Sequence, residues 1–437
     1  MSKYQTYKPS SIEWIGDVPE NWSIKKIKNI SQIVSGSTPS SSIEKYWNGD
    51  VVWVTPGDYS NHIKTISSSE NCITEEGYKS CGTTLVPKGS IVLTTRAPIG
   101  NVLIADTELC TNQGCKSIIP TKAVSSFLYH VFSISQIELN NLGQGTTFLE
   151  LSRQNLSTFK IPFPEKEEQV AIANYLDTET QKIDRLIANK KAQAEKLKEL
   201  RQIEINNAVT KGLNLNVELK DSGIDWLGKI PKHWEVKRLK NVSNFIQTGI
   251  TPPSEKSEYY EGDIPWYGPG GFNGDTVLSN PAKYITQQAI DDNEAKLFPI
   301  DSIFMIGIGA TIGKVGIIKE PSSCNQQLNI INFKSNVSPD FGVYLLKTYE
   351  SIIIKIANFS TLPIYNQVQT GNLKFLLPPK EEQNQITKYI QERTVAIDKL
   401  IKNIESQIEK LQELRKIKIY EAVTGKIKVN AYAEKTA

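Results

Sequence analysis

The sequence predicts an α+β protein written twice. Two mixed α/β globules are each followed by one long helix, the two helices form an antiparallel coiled coil, and the whole is a pseudo-twofold tandem repeat. Three observations carry this expectation. First, Ile12-Glu-Trp-Ile-Gly-Asp-Val-Pro-Glu-Asn-Trp22 returns as Ile224-Asp-Trp-Leu-Gly-Lys-Ile-Pro-Lys-His-Trp234, at an offset of 212. Second, Lys166–Thr210 returns at an offset of 214 with 24 identities in 45 positions. Third, each repeat changes texture along its length, from Gly, Pro, Ser and Thr with short β-branched runs to a Glu, Lys, Leu, Gln and Ile-rich segment.

In chain order, 1–163 is read as the first globule with its opening segment and 164–211 as the first spacer helix. The second globule with its linker takes 212–377, the second helix 378–426 and a tail 427–437. Within the globules, Val51-Val-Trp-Val-Thr55, Ser90-Ile-Val-Leu-Thr-Thr95, Ser302-Ile-Phe-Met-Ile306 and Leu328-Asn-Ile-Ile-Asn332 read as short strands between turns. Shared turns are marked by Gly36-Ser-Thr-Pro39 against Gly249-Ile-Thr-Pro252, and by Asn112-Gln113 against Asn325-Gln326. The helices hold no Gly or Pro from Lys166 to Lys211 or from Lys380 to Thr424. Pro164 and Pro379 stand ahead of them and Gly212 and Gly425 behind, as start and stop signals. Such a helix is about 65–70 Å long at 1.5 Å per residue.

Ile397, Ile401, Ile404, Ile408 and Leu411 step by 4, 3, 4 and 3, a coiled-coil seam. Ile183, Ile187, Ala194 and Leu197 repeat it more weakly, with Leu186, Leu200 and Leu414 placed alongside as part of the same stripe. A pseudo-twofold pairing of quasi-identical helices makes them antiparallel and brings the chain ends together, so the chain is expected to tolerate circular permutation.

Composition narrows the function by exclusion. No apolar run approaches the roughly 18 residues of a membrane span. The polar opening MSKYQTYKPS lacks a signal-peptide pattern, and Cys72, Cys81, Cys110, Cys115 and Cys324 are too few and odd in number for a disulfide scaffold. A reducing cytoplasm is the expected location. With 50 basic and 47 acidic residues the net charge is only +3, so any nucleic-acid footprint must be arranged rather than abundant. The helices are alike between repeats while the globules agree only at scattered points, which suits two different readers on a spacer that grips two copies of one partner. Bipartite DNA is such a target: sites about 34–36 Å apart lie on one face of the duplex.

At this point the chain resembles the specificity subunit of type I restriction-modification enzymes. The residues that carry the resemblance are the opening motifs Trp14–Trp22 and Trp226–Trp234, the two Gly-x-Thr-Pro turns, and the helix starts Pro162-Phe-Pro-Glu-Lys-Glu-Glu-Gln169 and Pro378-Pro-Lys-Glu-Glu-Gln383. The resemblance covers essentially the whole chain, and its specificity lies in the doubled order of the motifs. It implies that each globule is a target-recognition domain reading half of a bipartite site in double-stranded DNA. It also implies that the coiled coil binds two modification subunits. Those subunits carry S-adenosylmethionine and methylate adenine N6, while separate restriction subunits use ATP and magnesium. The chain itself is then non-catalytic, with no cofactor and no membrane association.

The chemistry absent from the sequence agrees with that implication. No Asn/Asp-Pro-Pro-aromatic tetrad of an amino-methyltransferase is present. Gly307–Lys314 imitates a phosphate loop, but Val315 stands where Ser or Thr should meet magnesium. The cysteines with His62, His130 and His233 have no paired ligand spacing. Asp275 with Glu294 and Lys296 is the weak nuclease alternative, and a scaffold that pairs two partners without reading DNA is the other.

DNA-contacting candidates are the base- and phosphate-reading side chains in loops after the shared turns. In the first globule they are Thr38, Ser40, Ser41, Arg96, Asn112, Gln113, Lys116, Thr146, Thr147, Ser152 and Arg153. In the second they are Thr251, Ser254, Lys314, Asn325, Gln326, Ser360, Thr361, Asn366 and Gln367. Turn capping is the competing role for the two Asn-Gln pairs. Arg96, with Gly309 or a neighbour at the matching place, is expected to act in one globule only. Trp53 and Trp266 are expected in the core more than as stacking platforms.

Overall fold

The computed structural model describes residues 2–59, 63–144, 149–214, 216–357 and 363–429. The chain divides into two units, Met1–Lys191 with Glu405–Ala437, and Ala192–Ile404. Both cuts fall inside the long helices, which run Lys166–Lys211 and Lys380–Val423.

In the first unit a five-stranded sheet has the order Ser31–Ser35, Cys115–Pro120, Ile91–Thr94, Val102–Ala105, Thr65–Ile66. Its last pairing is parallel and the others antiparallel. Strand alternation sends Ile91 and Leu93 into one core with the helix Ser125–Ile134, and Val92 into another with Val54, Val86 and Leu103. Burial of both faces is why these strands read as unbroken apolar runs. A second sheet orders Cys110–Thr111, Trp47–Val54 and Cys72–Ile73.

The second unit repeats this plan. Its sheet order is Ser243–Thr248, Leu328–Phe333, Ile303–Ile306, Val315–Ile317, and the fifth strand shrinks to one parallel bridge between Val277 and Ile317. Ile303 and Met305 enter one core, Phe304 and Ile306 the other. The small sheet is Lys283–Ile285, Tyr260–Tyr267, Ser323–Cys324.

The Glu-Glu-Gln motif is a junction. Gln169 is fully buried; its amide donates to the Pro164 carbonyl (2.9 Å) and its Oε1 accepts from Val124 N (2.9 Å). Gln383 does the same with Pro378 (2.9 Å), Asn336 (3.0 Å) and Ser338 N (2.7 Å). Each glutamine therefore ties a helix start to its globule through bonds that burial strengthens. Trp22 adds an Nε1–H bond to Glu168 (2.9 Å) in the first unit, and His233 meets Glu382 (2.8 Å) in the second. The first unit has a further tie, in which Asp177 meets Lys64 and the buried His130 Nε2 (2.7 Å). Burial alone would raise the Asp177 pKa, but the bonds from His130 and Lys64 hold it at about 2, so the carboxylate stays charged at neutral pH. Tyr344 and Gln391 occupy the matching places in the second unit, as the shared bonds from Val124 N to Gln169 and Ser338 N to Gln383 fix the register, so this tie is not duplicated.

Along the long helices Ile183, Ile187, Ala194 and Ile397 are buried, and Leu197, Ile401, Ile404, Ile408 and Leu411 are half-buried. Leu186, Leu200 and Leu414 are not part of this stripe, being 39–49% exposed. The reason is angular. At about 100° per residue from Ile183 or Ile397, the stripe stays within about 40° to either side, whereas Leu186 lies about 60° off and Leu200 and Leu414 about 100° off, on the flank. Arg415 pairs with Asp184 (3.0 Å) and Lys418 with Glu179 (3.0 Å) in the first unit. Arg201 pairs with Asp398 (2.9 Å) and Arg393 with Glu204 (3.1 Å) in the second. Arg201–Asp398 and Arg415–Asp184 exchange under the 214-residue offset.

Gly212 and Gly425 end the two helices with φ of +74°, the left-handed turn that glycine adopts without strain. Beyond Gly425 the chain pairs back to its own start. Lys428 N donates to Ser2 O (2.9 Å), and Val429 joins the core that holds Ile15 and Trp22. A permutant in which residue 437 is joined to residue 1 and the chain is opened after Asn216 should therefore fold. Its melting temperature is expected within a few degrees of the parent's by circular dichroism, and loss of cooperative melting would refute the closure.

Candidate nucleic-acid interface

In the first unit three backbone segments meet at one edge. The Gly-x-Thr-Pro turn lies on the Asn-Gln turn, with Ser37 N bonded to Thr111 O (2.9 Å). Thr38 Oγ1 donates to Gln113 Oε1 at the exposed rim, and Trp53 Nε1–H holds the turn from beneath through Ser37 O (2.9 Å). A Cβ on Gly36 would stand 2.1 Å from Asn112 O and 2.2 Å from Thr111 O, so only glycine permits this approach. The third segment follows strand Ile91–Thr94. Thr95 N bonds Gly114 O (2.8 Å), and Leu151 N bonds Thr95 O (2.8 Å), which draws Glu150 beside Arg96.

The second unit builds the same frame. Thr251 Oγ1 donates to Gln326 Oε1 (2.6 Å), Trp266 Nε1–H to Ile250 O (3.2 Å), and a Cβ on Gly249 would stand 2.0 Å from Cys324 O. Gly307 N bonds Gln327 O (2.8 Å), and Tyr365 N bonds Gly307 O (2.8 Å), which draws Ile364 beside Ile308.

The two frames present different chemistry. Arg96 Nε is 3.1 Å from Glu150 Oε2, and Lys116 Nζ is 3.6 Å from Glu150 Oε1 and 3.3 Å from Thr95 Oγ1. Burial lowers the Lys116 pKa, opposed by the Glu150 carboxylate. Two cations thus share one anion. In the second unit Ile308, Ile364 and Asn329 take the places of Arg96, Glu150 and Lys116. Asn329 is buried and bonded to Tyr365 O (2.8 Å) and Thr370 Oγ1 (2.9 Å). The counterpart of Arg96 is therefore Ile308, because the bridge to Ile364 fixes the register, and not Gly309.

The remaining candidates separate into three groups. Asn112 and Asn325 cap turns, accepting from Gly114 N (2.9 Å) and Gln327 N (3.0 Å), while Gln113 and Gln326 are exposed at the rim. Ser152 and Asn366 cap short helices through Asn155 N (3.1 Å) and Gln369 N (3.0 Å), with Arg153 and Gln367 at the first helical positions. Ser40, Ser41 and Ser254 are exposed in the loops after the Gly-x-Thr-Pro turns. Lys314 is displaced from the edge. The hairpin closed by Ile306 N to Lys314 O (2.9 Å) carries it to a cleft lined by Arg201, Lys347 and Asp275. Thr146, Thr147, Ser360, Thr361 and His62 lie outside the described residues. The residue that sequence reasoning missed is Glu150, whose relation to Arg96 arises only when two segments 54 residues apart meet.

Trp53 and Trp266 are buried, and the Asp275, Glu294 and Lys296 set is dispersed. Asp275 accepts from Asn273 (2.7 Å), Glu294 faces Lys256 (3.8 Å) and Lys296 donates to Thr248 O (3.3 Å). No helix is long and apolar enough to cross a membrane among the described residues.

Comparison with known proteins follows the same two-part division. The type I restriction modification DNA specificity domain matches twice, over residues 19–196 and 231–410. The MjaIX type I restriction enzyme specificity subunit of Methanocaldococcus jannaschii is 31% identical over 95% of both chains. The EcoR124I/EcoR124II specificity subunit of Escherichia coli is 25% identical over 51% of this chain and 48% of its own. Two solved structures share the fold. One, from a study of complex assembly and conformational transition of the type I R-M system, has a TM-score of 0.74 at 18% identity, covering 94% of this chain and 99% of the other. The HsdS subunit from Thermoanaerobacter tengcongensis has a TM-score of 0.56 at 17% identity, covering 94% and 98%.

Proposed function

Because the chain belongs to the type I restriction-modification DNA specificity family, with two copies of the family's domain, we propose that it is the sequence-reading subunit of such a complex. Each unit reads one half of a bipartite double-stranded site, and the chain performs no chemistry itself. The observation that carries this reading is the doubled frame. Gly36 and Gly249, Trp53 and Trp266, and the Thr–Gln pairs 38–113 and 251–326 are kept, while the side chains presented beside them change from Arg, Glu and Lys to Ile, Ile and Asn. A kept frame with altered groups is what two readers of different sequences require.

The long helices, in this reading, form an antiparallel coiled coil. Support comes from the ion pairs inside each unit, in which one partner's number falls as the other's rises: 415 with 184 and 418 with 179, then 201 with 398 and 204 with 393. The likeness of the helices, 24 identities in 45 positions, suits two copies of one methyltransferase, each bringing S-adenosylmethionine, with ATP and magnesium belonging to restriction subunits.

The test is to purify the tagged chain from its own cells and measure the mass of what accompanies it, then map methylated adenine in the genome. Two methyltransferase copies per chain and a bipartite methylated motif are the expected result. A chain that travels alone, or with a partner lacking methyltransferase activity, would return the scaffold alternative.

A further inference from the structure

We propose that the bridge Arg96–Glu150 and its equivalent Ile308–Ile364 mark a base-reading position in each frame, with Arg96 reading a guanine in one half-site and Ile308 with Ile364 packing on a thymine methyl in the other. The inference rests on the DNA-reading function proposed above and adds the chemistry of one position in each half-site.

The argument begins with equivalence. Arg96–Glu150 and Ile308–Ile364 are each an isolated antiparallel bridge. Each is drawn together by the backbone bond that follows it, Leu151 N to Thr95 O and Tyr365 N to Gly307 O, both 2.8 Å. Each is tied to the Asn-Gln turn through Thr95 N to Gly114 O or Gly307 N to Gln327 O, also 2.8 Å. The same place in the same frame thus carries a charged pair in one unit and an apolar pair in the other.

Neither pair makes sense as packing alone. An exposed ion pair contributes about 0–1 kcal/mol, yet here it is backed by a second cation, Lys116, whose side chain is 6% exposed. Lysine is almost never buried without a reason. Lys116 helps hold Glu150 in place, and Glu150 takes the Nε–H of Arg96. No described residue accepts from the two terminal NH2 groups of Arg96. Those are the donors that span guanine O6 and N7, the commonest specific contact in the major groove. A guanidinium fixed at Nε loses less freedom on binding than a loose one. Glu150 and Lys116 are positioning residues for it.

In the second unit the cation and the carboxylate disappear together, and Asn329 replaces the lysine with its amide spent inside the protein. Ile364 remains exposed, as does Val368 four residues on, where the first unit has Gln154. An apolar pair, Ile308 half-buried and Ile364 exposed, at a position otherwise made for hydrogen bonding matches the one apolar group of the major groove, the thymine 5-methyl.

The test uses the full chain with its accompanying subunits and a duplex library in which both half-sites are randomised. For the wild type, selection should fix a guanine at one position of one half-site and a thymine at one position of the other. Arg96→Ala should relax the guanine position alone by about ten- to a hundredfold. Arg96→Lys, which keeps charge and exposure and so preserves the fold, should relax it by less than Arg96→Ala, because an ammonium can still reach guanine O6 and N7 but lacks the planar fork and the Nε–H that Glu150 holds. Ile308→Arg with Ile364→Glu should bring a guanine preference into the second half-site. If the Arg96 variants weaken all sequences evenly, Arg96 is a phosphate contact and the inference fails while the reading function stands. If the wild type selects no bipartite site, the reading function fails as well.

Discussion

Replacing Gly36 by alanine should lower affinity for the two-part site by about a thousandfold, towards the level of non-specific binding. The new Cβ would lie 2.1 Å from Asn112 O, 2.2 Å from Thr111 O and 2.3 Å from Thr111 Oγ1. Two of these are backbone atoms and have no rotamer to escape into. The Gly-x-Thr-Pro turn must lift off the Asn-Gln turn, which breaks Ser37 N–Thr111 O and parts Thr38 from Gln113. The largest of the unit's cores, built on Ile91, Leu93, Ile118 and Phe127, is elsewhere, so the domain stays folded while its reading edge is misshapen. Gly249→Ala should do the same to the other half-site, since its Cβ would stand 2.0 Å from Cys324 O. Gly82→Ala, with nothing within 4 Å, is the control and should bind within about threefold of wild type. Equilibrium binding of the purified complex to duplexes with both, either or neither half-site separates these cases. A Gly36→Ala complex that keeps its affinity within tenfold would mean that this edge does not face DNA.

What the sequence made legible follows from how far each signal travels along the chain. The repeat, the long helices and their glycine ends are local patterns, and Gly212 and Gly425 stand at the left-handed positions that their spacing suggests. The 4-3 spacing marks Ile183, Ile187 and Ile397 as the inward stripe, but it does not distinguish a flank, so by spacing alone Leu186, Leu200 and Leu414 fall in with it although they are exposed. The frame was half legible. Gly36-x-Thr-Pro39 and Asn112-Gln113 recur and so are visible as motifs, but that Thr38 donates to Gln113 depends on two turns 75 residues apart. Glu150 carries no motif, and its role comes wholly from the bridge that sets it against Arg96. Gln169 and Gln383 recur visibly in Lys-Glu-Glu-Gln, yet their use as buried staples between helix and globule is a fact of packing.

The flank leucines lead to the second large effect, because their exposure is duplicated. Leu186, Leu414 and Ile417 are exposed on the helix segments of the first unit, and Leu400, Leu200 and Ile203 on those of the second. The 214-residue offset carries 186 onto 400, 200 onto 414 and 203 onto 417. Single exposed leucines are ordinary, but a set that recurs residue for residue in helices so rich in charge has a common use. The two partner copies proposed above, each covering one such set, would account for it. Leu186→Asp with Leu414→Asp should cost that contact about 3–6 kcal/mol of apolar burial, before the cost of covering two carboxylates is added. One partner copy should then be lost, with affinity at that site reduced at least about a hundredfold. The helices themselves should be unaffected, because the substituted side chains face water in the free chain and such changes alter stability by about 0.5 kcal/mol. Leu400→Asp with Leu200→Asp should remove the other copy, and all four together should remove both. Native mass spectrometry of the complexes counts the copies directly. Full occupancy in the fourfold variant would exclude these faces as the partner's seat and move it to the globules, where the two units differ most and an identical partner would have least reason to bind twice.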